Sequence, residues 1–184
     1  MVSGVRTVFQ TLRAAGLIDT VDRVGHIELR NVDDEDLDAI FEMMRDRAAV
    51  EMAAFTAADP DDRGVFDAWI ERQRAAPDVA LFVVTESGGF AGTAALFSAD
   101  GDREVTYWIA RHAWGRGVGT EALRILVSRE PVRPLFARVA AHNAASLAVL
   151  TKVGFTEVSR DIEYAPGIGR EIEEIVLVLV PVLE

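Results

Sequence analysis

Three glycines at alternate positions, Gly115, Gly117 and Gly119, stand between a β-rich segment ending near Ala110 and a helical pattern that begins around Thr120. Glycines at this density let the backbone approach a ligand closely and aim consecutive N–H groups at it. At a helix N-terminus those amides also face the positive end of the dipole, which suits a diphosphate. The expected cradle is Arg116, Gly117, Val118, Gly119 and Thr120, acting mostly through backbone groups; the ligand-free alternative is a glycine-rich strand exit. Asn143 has the type and place of an N-cap, with Ser146 one turn on, and Glu104 is a carboxylate near the start of the strand that leads to the loop. His26, His112 and His142 are the only imidazoles; the last two, flanking the motifs, are read as loop-packing and capping groups. The chain has no cysteine, which excludes disulfides, thiolate zinc sites and cysteine nucleophiles, and no metal is expected.

Two familiar phosphate loops do not fit. A P-loop needs a lysine after its second conserved glycine, and Lys152 is the only lysine in the chain. The dinucleotide fingerprint is G-x-G-x-x-G followed about 20 residues later by an acid. Here the spacing is G-x-G-x-G and Arg138 occupies that region.

The elements that must position these residues follow from periodicity and breakers. His26–Arg30 is β-compatible, and Asp33 and Asp34 cap a helix carrying Leu37, Ile40, Phe41 and Met44. After a break at 56–62, a second helix runs through Val65, Phe66, Trp69 and Ile70. Strands are expected at 80–85, 90–97 and 104–110, with turns at Gly88-Gly89 and Asp100-Gly101. A helix at 120–128, a strand at 135–140, a helix at 144–153 closed by Gly154, and strands at 155–163 and 171–180 complete a mixed α/β domain.

The 184 residues leave room for one domain, 26–184, with residues 1–25 as a helical appendage carrying Val5, Val8, Phe9 and Leu12 at helical spacing. No apolar run is long enough to span a bilayer, and the N-terminal pattern is too interrupted for a secretory signal, so a cytoplasmic protein is expected. A net charge of −11 argues against nucleic acid as a partner. The charge is uneven: 28–86 holds 16 acids against 6 bases, whereas 111–160 holds 3 acids against 8 bases. The basic stretch suggests a local anionic ligand, with chance clustering of solvated arginines as the alternative.

These motifs resemble the GNAT superfamily of N-acetyltransferases, whose coenzyme A loop reads Gln/Arg-x-x-Gly-x-Gly/Ala after a strand. Gly117 and Gly119 match its small positions, and Trp114 stands where Gln or Arg is usual. Tyr107-Trp108, Trp114-Gly115-Arg116-Gly117 and Thr120-Glu121-Ala122-Leu123 are similar to the branch of ribosomal-protein N-terminal acetyltransferases. The family's N-x-x-S and G-F motif appears as Asn143, Ser146, Gly154 and Phe155. The resemblance spans roughly residues 26–181.

It implies a mostly antiparallel sheet, splayed between the strands at 104–110 and 135–140, with acetyl-CoA as co-substrate in the splay. It places Ile109 and Ala110 against the pantetheine arm, within reach of the thioester carbonyl, and Asn143 against the same arm. The hydroxyl that protonates the departing thiolate is often a tyrosine four residues before the glycine of G-F; that position is Leu150, which leaves Ser146. Glu104 is the expected general base, its alternative an exposed glutamate paired with Arg103. The acceptor is an amine, a protein N-terminus or a small cationic amine, drawn toward the acidic segment through Glu42, Asp46 and Glu51, with Phe55 and Trp69 lining its site. A non-catalytic acyl-CoA-binding or regulatory module, another donor such as succinyl-CoA, and a homodimer stay open.

Overall fold

The computed structural model describes residues 25–181; the expected N-terminal helical appendage lies outside them. Strand β1 (Ile27–Asn31) leads to a single 3-10 turn at Asp34–Asp36 and helix α1 (Leu37–Met44). Helix α2 (Arg47–Ala53) is separate, because Asp46 leaves the helical path and its carboxylate accepts the N–H groups of Ala48 and Ala49. Helix α3 (Arg63–Ala75) starts in the same way, with Asp62 accepting from Val65 N–H. Then come β2 (Ala80–Glu86), β3 (Gly89–Ala99), β4 (Asp102–Ile109), α4 (Val118–Arg129), β5 (Leu135–Ala140), α5 (Ala144–Val153), β6 (Thr156–Ala165) and β7 (Arg170–Leu179).

The seven strands form one sheet in the order β1-β2-β3-β4-β5-β7-β6. All neighbours are antiparallel except β4 and β5, which pair in parallel through only Arg103–Leu135 and Glu104–Phe136. Beyond Glu104 the two strands part, so the sheet is splayed at its centre. Alternation along the strands supplies two apolar faces. On one, Leu96, Val105, Leu135 and Ala137 pack against Leu123 and Leu126 of α4 and Leu150 of α5. On the other, Val83 packs with Ile40 and Phe41 of α1 and Phe66 and Ile70 of α3.

Candidate active site

Gly117 occupies the left-handed region at φ 87 and is the N-cap of α4, which makes it the residue that turns the chain from loop to helix. Its carbonyl accepts the Glu121 N–H at 3.1 Å, so the N–H groups of Val118, Gly119 and Thr120 precede the first helical bond. No side chain caps this end, which leaves the amides and the dipole to an anion. Gly119 serves differently from the sequence expectation: a Cβ there would meet Ile109 Cγ1 at 3.3 Å and Tyr107 Cε2 at 3.7 Å. Its missing side chain lets α4 close on β4. The Arg116 guanidinium pairs with Glu86.

The parted strand β4 presents an open backbone edge. Ala110 N–H donates to Ala91 O at 2.9 Å, which makes Ile109 and Gly92 a pair without direct hydrogen bonds. The N–H and C=O groups of Ile109 and Tyr107 therefore point away from β3, toward the gap. Ala110, expected beside the cofactor, has its N–H committed to β3. The Trp114 indole donates to Ile109 O at 2.6 Å and so lies across the end of this edge.

Across the gap, Asn143 Oδ1 accepts Ser146 N–H at 3.0 Å and caps α5. Ser146 Oγ lies 2.7 Å from the Tyr107 hydroxyl. Burial pushes the Tyr107 phenol up to about 12. In the sequence Tyr107 stands out only within the Tyr107-Trp108 motif; strand alternation is the signal that sets it with Val105 and Ile109 on the α4/α5 side. Leu150 is 1% exposed and belongs to the core.

Glu104 is not the exposed partner of Arg103. It is 3% exposed, and its Oε1 accepts Arg138 Nε at 3.1 Å, while Arg103 pairs with Glu130 at 2.8 Å. Arg138 also reaches Glu174 at 3.4 Å, whose carboxyl is pushed up mainly by burial. The three side chains bridge β4, β5 and β7 where the gap begins. His112 Nε2 lies 3.1 Å from Phe90 O and His142 Nε2 2.8 Å from Glu51 O, so both tie down loops.

On the α1/α3 face of β4 is a cavity of about 610 Å³ lined by Phe55, Trp69, Thr106, Tyr107 and Trp108 among others. Glu42, Asp46 and Glu51 do not line it. Glu42 and Asp46 border a smaller cavity of about 310 Å³ beside Ala110, Arg111 and His112. Several acids of the acidic segment are paired with arginines: Asp34–Arg74, Asp36–Arg30 and Asp38–Arg63 within it, and Asp46–Arg111 and Glu51–Arg170 from outside it, at 2.6 to 3.0 Å. Arg111, Arg116 and Arg138, from the basic stretch, are likewise engaged by acids. Among the described residues, no three His, Asp or Glu side chains group as a metal site, and no helix is long and apolar enough to cross a membrane.

Residues 26–156 match the family described as Acetyltransferase (GNAT) domain, and the chain belongs to that family. The spermidine N-acetyltransferase of Vibrio cholerae, solved with CoA and spermine, superposes with a TM-score of 0.72 at 18% identity, covering 84% of this chain and 95% of that one. A ribosomal-protein-alanine N-acetyltransferase from Brucella melitensis gives 0.70 at 22% identity, covering 84% and 99%. Mycobacterium smegmatis RimJ, in complex with CoA-disulfide, gives 0.70 at 22% identity, covering 85% and 82%. No curated protein matches the sequence at a significant level.

Proposed function

We propose that the protein transfers acetyl from acetyl-CoA to a primary amine by direct attack on the thioester. The observation that carries this reading is the gap between β4 and β5, closed at one end by Arg103 and Glu104 and flanked at the other by the uncapped start of α4. The residues present suit the co-substrate. The amides of Gly117, Val118, Gly119 and Thr120 would face the diphosphate, and the outward N–H and C=O of Tyr107 with the Ile109 N–H offer strand-like pairing to the amides of the pantetheine arm, the Ile109 carbonyl being taken by Trp114. Asn143, at the head of α5, borders the same gap.

The lone pair of a neutral amine attacks the thioester carbonyl carbon; the C–N bond forms, the C–S bond breaks, and the amine's proton leaves to water. Ile109 N–H is the backbone donor on the open edge for the carbonyl oxygen. Ser146 gives its proton to the departing thiolate and regains one through the Tyr107 hydroxyl, itself reprotonated from water, so the proton the amine gives up balances the one the thiol gains. The pairing of Glu104 with Arg138 supports a role as a clasp on the strands rather than as the base. A peptide N-terminus and a small amine both satisfy this chemistry, and the spermine-bound relative supports an amine acceptor.

Because the chain has no cysteine, thiol release reports CoA alone. Calorimetry with acetyl-CoA and succinyl-CoA, followed by thiol release with a panel of amines, tests the reading. Binding and amine-dependent release are expected with acetyl-CoA. Binding without release would make the protein an acyl-CoA-binding module, and absence of binding at millimolar concentration would refute the reading.

A further inference from the structure

The cavity on the α1/α3 side of β4, at about 610 Å³, has the volume of a small-molecule site. Its walls are mainly rings and aliphatic chains, from Phe41, Phe66 and Trp69 on the helices and Leu81, Phe97 and Trp108 on the strands. The rings form a connected set: Phe41 and Phe66 lie 5.3 Å apart, and Phe66 and Trp69 6.0 Å. The charged side chains that line it are Asp59, Asp62 and Arg72. Asp62 Oδ1 is engaged by Val65 N–H at 3.0 Å and Asp59 Oδ1 by Asp61 N–H at 3.1 Å. Arg72 adds a positive charge. Each ammonium of a polycation needs its own carboxylate or water, and this lining offers two partly engaged carboxylates opposed by a guanidinium. It is far better matched to an apolar body, which gains from area removed from water and from ring–ring contacts.

We propose that this cavity holds the body of the acceptor, and that the acceptor is a primary amine with a single ammonium on an aromatic or large aliphatic group. The inference rests on the acetyl-transfer reading above. Thr106, Tyr107 and Trp108 line the cavity, and Tyr107 also borders the open edge of β4. A ring seated among Phe66, Trp69 and Trp108 thus directs an amine on a short arm toward the strand that holds the thioester.

The test compares 2-phenylethylamine, spermidine and an alanine-initiated tetrapeptide in thiol release, with acetyl-CoA affinity measured separately by calorimetry. The kcat/KM for 2-phenylethylamine is expected to exceed that for spermidine and for the peptide by about 10-fold or more, the scale of discrimination by an apolar pocket. Trp69→Ala should raise the KM for 2-phenylethylamine about 10-fold with kcat and acetyl-CoA affinity little changed, and Trp69→Phe should recover most of it. Should Trp69→Ala fail to fold, Thr106→Glu serves instead. It sits at an exposed strand position on the same wall, and its carboxylate should narrow the ratio between 2-phenylethylamine and spermidine. Preference for spermidine or the peptide with acetyl-CoA still bound, or a 2-phenylethylamine KM indifferent to these variants, overturns the aromatic acceptor and leaves acetyl transfer standing. Failure to bind acetyl-CoA, or binding without turnover of any amine, overturns both.

Discussion

The Tyr107 hydroxyl of β4 and Ser146 Oγ of α5, 39 residues apart in sequence, lie 2.7 Å from each other. The phenol has one proton and two acceptors in range, Ser146 Oγ and the Ser146 carbonyl at 3.3 Å. The shorter contact is to the hydroxyl. With the phenol proton directed there, the serine proton is free to point at a leaving group. A phenol pushed up to about 12 stays protonated at any pH used for an assay, so Tyr107 persists as the donor behind Ser146.

Ser146→Ala should therefore lower kcat by about 100-fold, at the lower end of general acid contributions, with acetyl-CoA affinity nearly constant. Tyr107→Phe keeps the ring and removes only the second donor, so its effect should be smaller, about 10-fold. Steady-state kinetics with calorimetry separate the two quantities. If both variants keep kcat within about 3-fold of wild type, proton transfer does not pass through this pair.

The glycine loop makes two distinguishable demands. Gly117→Val puts a β-branched residue at φ 87, strained by about 1–3 kcal/mol, and displaces the first amides of α4. Acetyl-CoA affinity should fall by well over 10-fold. Gly119→Ala instead presses Ile109 from 3.3 Å, so the expected effect is a Tm lowered by a few degrees, with affinity reduced less than in Gly117→Val. Equal affinity losses would show that a side chain at Gly119 intrudes on the phosphate as well as on Ile109.

Glu104→Gln separates clasp from base. As a clasp, its loss should lower Tm while kcat and the acidic limb of the pH–rate profile change little. A fall of about 100-fold with loss of that limb would establish general base catalysis. Arg138→Ala leaves the Glu104 carboxylate buried without its cation, at about 1–3 kcal/mol. The lower end is expected because Arg138 is itself 45% exposed and screened. The double variant should cost less than the two single changes together.

The order of elements was legible in the sequence because breakers and periodicity are local signals. Asn143 before Ala144 and Gly154 after Val153 delimit α5 to the residue. Helix α2 was not legible, since Asp46 resembles any other acid in that segment until its carboxylate is seen to cap Ala48 and Ala49. The turn at Gly117 and the Asn143 cap that seats Ser146 could be read from spacing and resemblance, but the Tyr107–Ser146 contact depends on how α5 docks on β4. The placement of the acidic side chains was not legible for a similar reason: Glu42, Asp46 and Glu51 line no part of the cavity on the α1/α3 side of β4. A charge count carries no information about pairing, and Arg63, Arg111 and Arg170 reach Asp38, Asp46 and Glu51 from 25, 65 and 119 residues away in sequence.

One such pair sets a pH dependence. Arg30 grips Asp36 with two bonds of 2.6 Å, and Asp36 Oδ2 also accepts Asp33 N–H at 2.8 Å, fixing the entry to α1. These bonds hold the buried Asp36 carboxyl below its ordinary 3.8, the Arg30 hydrogen bond contributing most. Above pH 3.8 both folded and unfolded chains carry the charge, so the stabilisation is fully present at neutral pH. As pH falls through that value the unfolded chain takes up the proton first, and the contribution is lost on the way to the lower folded-state value. Asp36→Asn removes the charge yet keeps an oxygen for the Asp33 amide. It should cost about 1 kcal/mol at pH 7, a modest figure because Arg30 is 44% exposed. Denaturant midpoints for wild type and Asp36→Asn should converge as pH drops from about 5 to 3, since the other carboxyls titrate alike in both proteins. A gap that stays constant over that range would show that the charge on Asp36 contributes nothing to the stability of this corner.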